Sequence, residues 1–131
     1  MPSGLKIKQV AEWPGIGSLS LVGDEAIEQW SKLTEEERAC LEQRVQMACV
    51  SYPQPLSKDK VRGLKGKCKG VAEVKYKYPP LRGIGFSDGR NWFFGHVSRK
   101  PREHELESIA KRVLPLKENY FLTKKPMEVR K

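Results

Sequence analysis

The hydrophobic positions change their period several times along the chain, and each change marks an element. Ser18-Leu19-Ser20-Leu21-Val22 alternates polar with apolar, which predicts a short first strand closed by Gly23-Asp24. Asp24 is a suitable N-cap for a helix over 25–33, where Ile27, Trp30 and Leu33 recur on one face. Thr34-Glu35-Glu36-Glu37 is a capping box, so a second helix follows at once with its carboxylates at the positive end of the dipole. Leu41, Val45, Ala48 and Tyr52 give this helix an apolar stripe, and Pro53 and Pro55 stop it.

Beyond residue 70 the period becomes two. Ala72, Val74, Tyr76 and Tyr78 alternate with Glu73, Lys75 and Lys77, a strand with one buried and one charged face. A strand over 81–87 places Arg82, Ile84 and Phe86 on one side, Asp88-Gly89 is a hairpin turn, and 91–98 returns with Trp92, Phe93, Phe94 and Val97. Leu106, Ile109, Ala110 and Val113 then recur at helical spacing, with an end expected near Pro115. The expected class is α+β: a small antiparallel four-stranded sheet, two N-terminal helices packed on one face, and a C-terminal helix, in the order β-α-α-β-β-β-α. The other sheet face is expected to be left to solvent or a ligand. Residues 1–17 read as an irregular peripheral arm, 18–114 as the domain and 115–131 as a tail that either docks through Tyr120 and Phe121 or stays loose.

Composition narrows the class. The 131 residues are 38% hydrophobic and 31% charged, a balance that suits one small globular domain and excludes fibrous and wholly disordered chains. There is no long apolar run for a membrane span or signal peptide, so a cytoplasmic protein is expected. Cys40, Cys49 and Cys68 are odd in number and lack C-x-x-C spacing, so reduced thiols are expected rather than disulfides or a zinc cage. Neither a metal nor a cofactor is expected.

Charge changes the picture more. The net charge of +9 is distributed as −3 over 1–54, +9 over 55–104 and +3 over 105–131. Such a block is the footprint of a polyanion partner, most often nucleic acid. Lys75, Lys77, Arg82 and Arg99 come from three neighbouring strands, with His104 in the following loop as a candidate acid or base, and they form the candidate catalytic set. Lys65, Lys67, Lys69, Lys100 and Arg102 are candidate RNA contacts, and Trp92 is either a base-stacking surface or core. Gly63, Gly66 and Gly70 among those lysines lack the Walker spacing, so 56–70 reads as a flexible basic loop. His96, within a strand, reads as structural. A cationic set without paired carboxylates suits RNA, which brings its own nucleophile in the 2′-hydroxyl.

Several short motifs, in order, resemble the RelE/ParE superfamily of toxins from toxin-antitoxin systems, especially its RelE and HigB branches. They are Gly-Asp-Glu-Ala-Ile-Glu-Gln-Trp-Ser-Lys-Leu from Gly23, Val61-Arg62-Gly63-Leu64, Glu73-Val74-Lys75, Leu81-Arg82, and Arg99-Lys100 followed by Ile109-Ala110-Lys111-Arg112. The resemblance spans about 18–114. It implies a microbial ribonuclease fold, metal-independent cleavage of mRNA on the ribosome by 2′-hydroxyl attack, and an antitoxin partner. It also implies that Lys75, Lys77 and Arg82 hold the family's basic strand positions, with Arg99 or Lys100 ending the last strand. The family's C-terminal aromatic or histidine has no clear counterpart here. A non-catalytic nucleic-acid or ribosome-binding protein, a ParE-like gyrase inhibitor, and an adaptor for an acidic protein remain alternatives on the same fold.

Overall fold

The computed structural model describes residues 5–99, 101 and 103–129, and at 103 and 124–129 it describes the backbone alone. Its elements are β1 (Ile7–Trp13), β2 (Gly17–Val22), α1 (Asp24–Ser31), α2 (Glu35–Ser51), β3 (Val61–Gly63), a 3₁₀ turn (Gly66–Cys68), β4 (Ala72–Tyr76), β5 (Leu81–Asp88), β6 (Asn91–Arg99) and α3 (Glu103–Val129). The α+β class is as expected. The sheet is larger, however: six strands in the order β1-β2-β6-β5-β4-β3, antiparallel except where β2 runs parallel to β6.

Two strands lay hidden in segments read as irregular. In β1 the register shifts between Gln9 and Ala11, so Val10 and Ala11 both meet the core and the period of two is broken. Gly15, at φ 77°, and the Ile16 N–H to Trp13 C=O bond turn the chain into β2. The three-residue β3 forms the opposite edge, with Val61 packed on the core and Arg62 paired to Glu73.

Helices cover both faces, which corrects the expectation of one open face. Leu41, Val45 and Cys49 of α2 and Trp30 of α1 pack with Leu19, Val74, Leu81 and Phe94 on one side. Leu106, Ile109, Ala110 and Val113 of α3 pack with Ile84, Phe86 and Phe93 on the other. Gly83 permits the packing on the α1/α2 side, because a Cβ there would lie 2.3 Å from the Phe94 ring. The capping box of α2 is present, with the Glu37 N–H on Thr34 Oγ1 and the Thr34 N–H on Glu37 Oε1.

α3 does not end near Pro115. Its second half carries Tyr120 and Phe121 onto Phe86 and Phe93, and the Tyr120 hydroxyl donates to Asp88 at 2.9 Å. Docking this aromatic cluster outweighs the single helical hydrogen bond that a proline forgoes.

Candidate nucleic-acid interface

Strand register assembles two rows, polar apart from Ile84, on the α3 side of the sheet. Residues directly opposite on paired strands share a face. Arg62, Glu73, Ile84 and His96 lie opposite one another across β3, β4, β5 and β6, and Lys75, Arg82 and Ser98 form the next row. Lys75 and Arg82, predicted together, are therefore neighbours. With Arg44, Lys60, Lys77, Tyr76 and Asp59 they line a pocket of about 280 Å³.

Glu73 organises these cations. It is buried, and its two oxygens accept from Arg62 and Arg82 at 2.9 Å each. Arg82, with its side chain 11% exposed, also donates to the Tyr76 and Leu81 carbonyls. Its guanidinium is fixed in position, with its charge shared with a carboxylate. Arg44 lies over the Tyr76 ring at 5.2 Å from its centroid, and a hydrogen bond with Cys40 pushes the Tyr76 phenol above its ordinary value. The cationic border continues along β3, where Lys58, Arg62 and Lys65 line a pocket of about 410 Å³ and Lys65 and Lys67 another of about 370 Å³.

The other predicted residues are distributed differently. Arg99 pairs with Leu81, which turns it to the α1/α2 side, where its guanidinium donates to Glu37 at 2.9 Å. His104 lies in the first turn of α3 rather than in a loop, and is exposed. Lys65, Lys67 and Lys69 are exposed around the 3₁₀ turn. Trp92 is buried in the α1/α2-side core and offers no ring face for stacking. Lys100 and Arg102 lie outside the described residues.

Sequence reasoning missed Arg44, Lys60 and Arg62, because the loop hides β3 and nothing in the helix pattern shows Arg44 facing β4. It also missed a network at His96. The imidazole Nδ1 is 2.8 Å from Glu25 Oε2 and 3.2 Å from Gln29 Nε2, and Nε2 is 3.0 Å from Ser98 Oγ. Gln29 Oε1 accepts the Val97 N–H, so α1 satisfies the edge of β6 that β2 leaves unpaired. Arg112 of α3 donates to Glu25 at 2.9 Å; this bond and the contact with His96 hold the Glu25 carboxyl below its ordinary value. Burial pushes His96 down, partly offset by Glu25.

Among the described residues no group of three or more His, Cys, Asp or Glu is placed to hold a metal ion, and no helix is long and apolar enough to cross a membrane. No protein-family model and no curated protein matches the chain. Among solved structures, the chain is similar to the crystal structure of the isolated E. coli RelE toxin, with 18% identity, 72% of this chain and 96% of that chain covered, and a TM-score of 0.46.

Proposed function

We propose that the chain is a RelE/HigB-like toxin acting as a metal-independent mRNA endoribonuclease on ribosome-bound message in the cytoplasm, held in check by an antitoxin. The observation that carries this reading is the convergence of Lys75, Lys77, Arg82, Arg44 and Lys60 on one pocket at the basic edge of the sheet. The motif resemblance to the RelE and HigB branches supports it. A phosphodiester seated there meets several positive charges and Arg82 donors whose orientation Glu73 fixes in advance. As the 2′-oxygen attacks, charge accumulates on the non-bridging oxygens, and fixed cations stabilise that charge without reorganising. His104, exposed at the start of α3, and the Lys65–Lys69 segment extend the surface available to the message.

The test is primer-extension mapping in a translating extract. Cuts with 5′-hydroxyl ends are expected, and Lys75→Ala is expected to slow cleavage by about 10²-fold. Message left intact at saturating protein refutes cleavage.

One observation favours a second reading, a non-catalytic nucleic-acid or ribosome-binding protein or a ParE-like gyrase inhibitor. Arg82 is largely engaged by Glu73 and two carbonyls, and Arg99 faces the opposite side of the sheet. Binding that weakens about a thousandfold between 50 and 200 mM salt, without cleavage, identifies this case. A supercoiling assay separates gyrase inhibition from it.

A further inference from the structure

The lysines and arginines of the pocket can hold and neutralise a phosphodiester, and the reaction also needs a group to take the 2′-hydroxyl proton. Resting on the endoribonuclease reading, we propose that His96, oriented by Glu25 and working through the Ser98 hydroxyl, is the general base of the reaction at the Lys75–Arg82–Ser98 row.

Placement carries the assignment. Ser98 is the direct partner of Arg82, which is the direct partner of Lys75. Partnered Cα atoms on antiparallel strands stand about 4.5–5.5 Å apart, so the three side chains fit within reach of one ribose-phosphate unit. Ser98 and His96 also line a pocket of about 360 Å³ with Arg99 and Arg112, which adjoins the row at Ser98 and is separate from the pocket of Lys75 and Arg82.

Hydrogen bonding sets the tautomer. An ionised carboxylate only accepts, so Nδ1 donates its proton to Glu25 and Nε2 is left as the acceptor for the Ser98 hydroxyl. Gln29, whose Oε1 is committed to the Val97 N–H, turns its amide nitrogen toward the same carboxylate at 3.4 Å. Among the described residues the charged groups facing the ring are Glu25 from α1 and Arg112 and Glu105 from α3, and Ile84 stands opposite it on β5. The imidazole side chain is 9% exposed; burial pushes it below its ordinary value, so the ring rests neutral, and the Glu25 carboxylate opposes that shift and favours the protonated form.

The step balances as follows. The 2′-hydroxyl proton passes to Ser98 Oγ while the Ser98 proton passes to His96 Nε2. The 2′-oxygen forms a bond to phosphorus, and the bond from phosphorus to the 5′-oxygen breaks. The departing oxygen takes a proton from a lysine ammonium of the pocket, and solvent later restores both groups. The products are a 2′,3′-cyclic phosphate and a 5′-hydroxyl. Glu25 touches no RNA and is a positioning residue.

The experiment uses the full chain, ribosomes and a defined message. Single-turnover cleavage is measured against pH, alongside binding of an oligonucleotide whose 2′-deoxy position prevents cleavage. His96→Gln is expected to slow cleavage by about 10²- to 10⁴-fold and to abolish the wild-type fall in rate at acid pH, with oligonucleotide affinity within twofold. Ser98→Ala is expected to slow cleavage at least tenfold. Ser98 is only half-buried, so its variant decides the matter even where His96→Gln unfolds. Wild-type rate in Ser98→Ala, or an unchanged acid limb in folded His96→Gln, overturns the assignment while leaving the endoribonuclease reading intact. A wild-type chain that binds but leaves message whole at every pH overturns both.

Discussion

Glu73→Gln tests whether the cationic face depends on its buried carboxylate. Glu73 is 4% exposed, and its carboxylate serves two arginines at once, at 2.9 Å each. An amide of the same shape offers one oxygen and one NH₂, so one arginine keeps an acceptor and the other meets a donor. Arg62 is partly exposed and can turn to water, whereas Arg82 cannot. Removing one partner of a buried ion pair costs about 3–5 kcal/mol, and the two carbonyl bonds that Arg82 retains place the loss near the lower bound, about 3 kcal/mol. With a urea slope of about 2 kcal/mol per molar, the unfolding midpoint should fall by about 1.5 M in a denaturation curve followed by tryptophan fluorescence. The same substitution removes a negative charge from the cationic face, so on the proposed reading affinity for single-stranded RNA should rise in the fraction still folded. Replacing both partners, Glu73→Leu with Arg82→Met, should recover most of the stability. A midpoint shift below about 0.3 M for Glu73→Gln would refute the view that this carboxylate holds the rows together.

Pro115→Ala restores an N–H to the middle of α3 at an exposed position and should stabilise the fold by about 1–3 kcal/mol; a lowered melting midpoint counts against a regular helix there. Thr34→Ala removes one half of the α2 capping box and should cost about 1 kcal/mol in chemical denaturation. Stability should also depend on pH through two depressed groups. The Glu25 contribution is present above its unfolded value near 4.5 and is lost as pH falls through the lower folded value. His96 is neutral in the fold, so below 6.5 the unfolded chain binds a proton that the folded chain refuses, and stability declines from that pH down to the folded value. Thermal melts of His96→Gln between pH 7 and 5 should lack the second decline, and an identical slope would disprove it.

The central meander was legible because a period of two survives in Ala72–Tyr76 and Leu81–Asp88, and because Asp88-Gly89 leaves the hairpin little choice of turn. Lys75 and Arg82 could be placed together for the same reason. β1 escaped because its bulge puts Val10 and Ala11 side by side, and β3 because three residues are too few to show a period. Arg99 was misplaced by a matter of parity: one residue along a strand reverses the face, and the β5–β6 register shift between Ile84 and Gly85 is invisible until the strands are paired. Pro115 was read as a stop because local propensity cannot register the Tyr120 and Phe121 contacts beyond it. His96 was read as structural on its strand position alone; its link to Glu25 joins residues 71 apart in sequence.

Topology also turns the uneven charge along the chain into a polarity in space. The acidic first 54 residues build β1, β2, α1 and α2 and thus the β1 end of the sheet, while the basic middle segment builds β3 and β4 at the other. At the first end, Asp24, Glu25, Glu28 and Glu42 outnumber Lys8 and Arg38 around a groove of about 840 Å³. At the second, Lys58, Lys60, Arg62, Lys75 and Lys77 face outward with few acids among them. A polyanion is therefore repelled from one edge and drawn to the other before any contact forms, over a range that salt limits to roughly 10 Å. The short, lysine-flanked β3 discourages pairing with a strand from another chain, which leaves the cationic edge open.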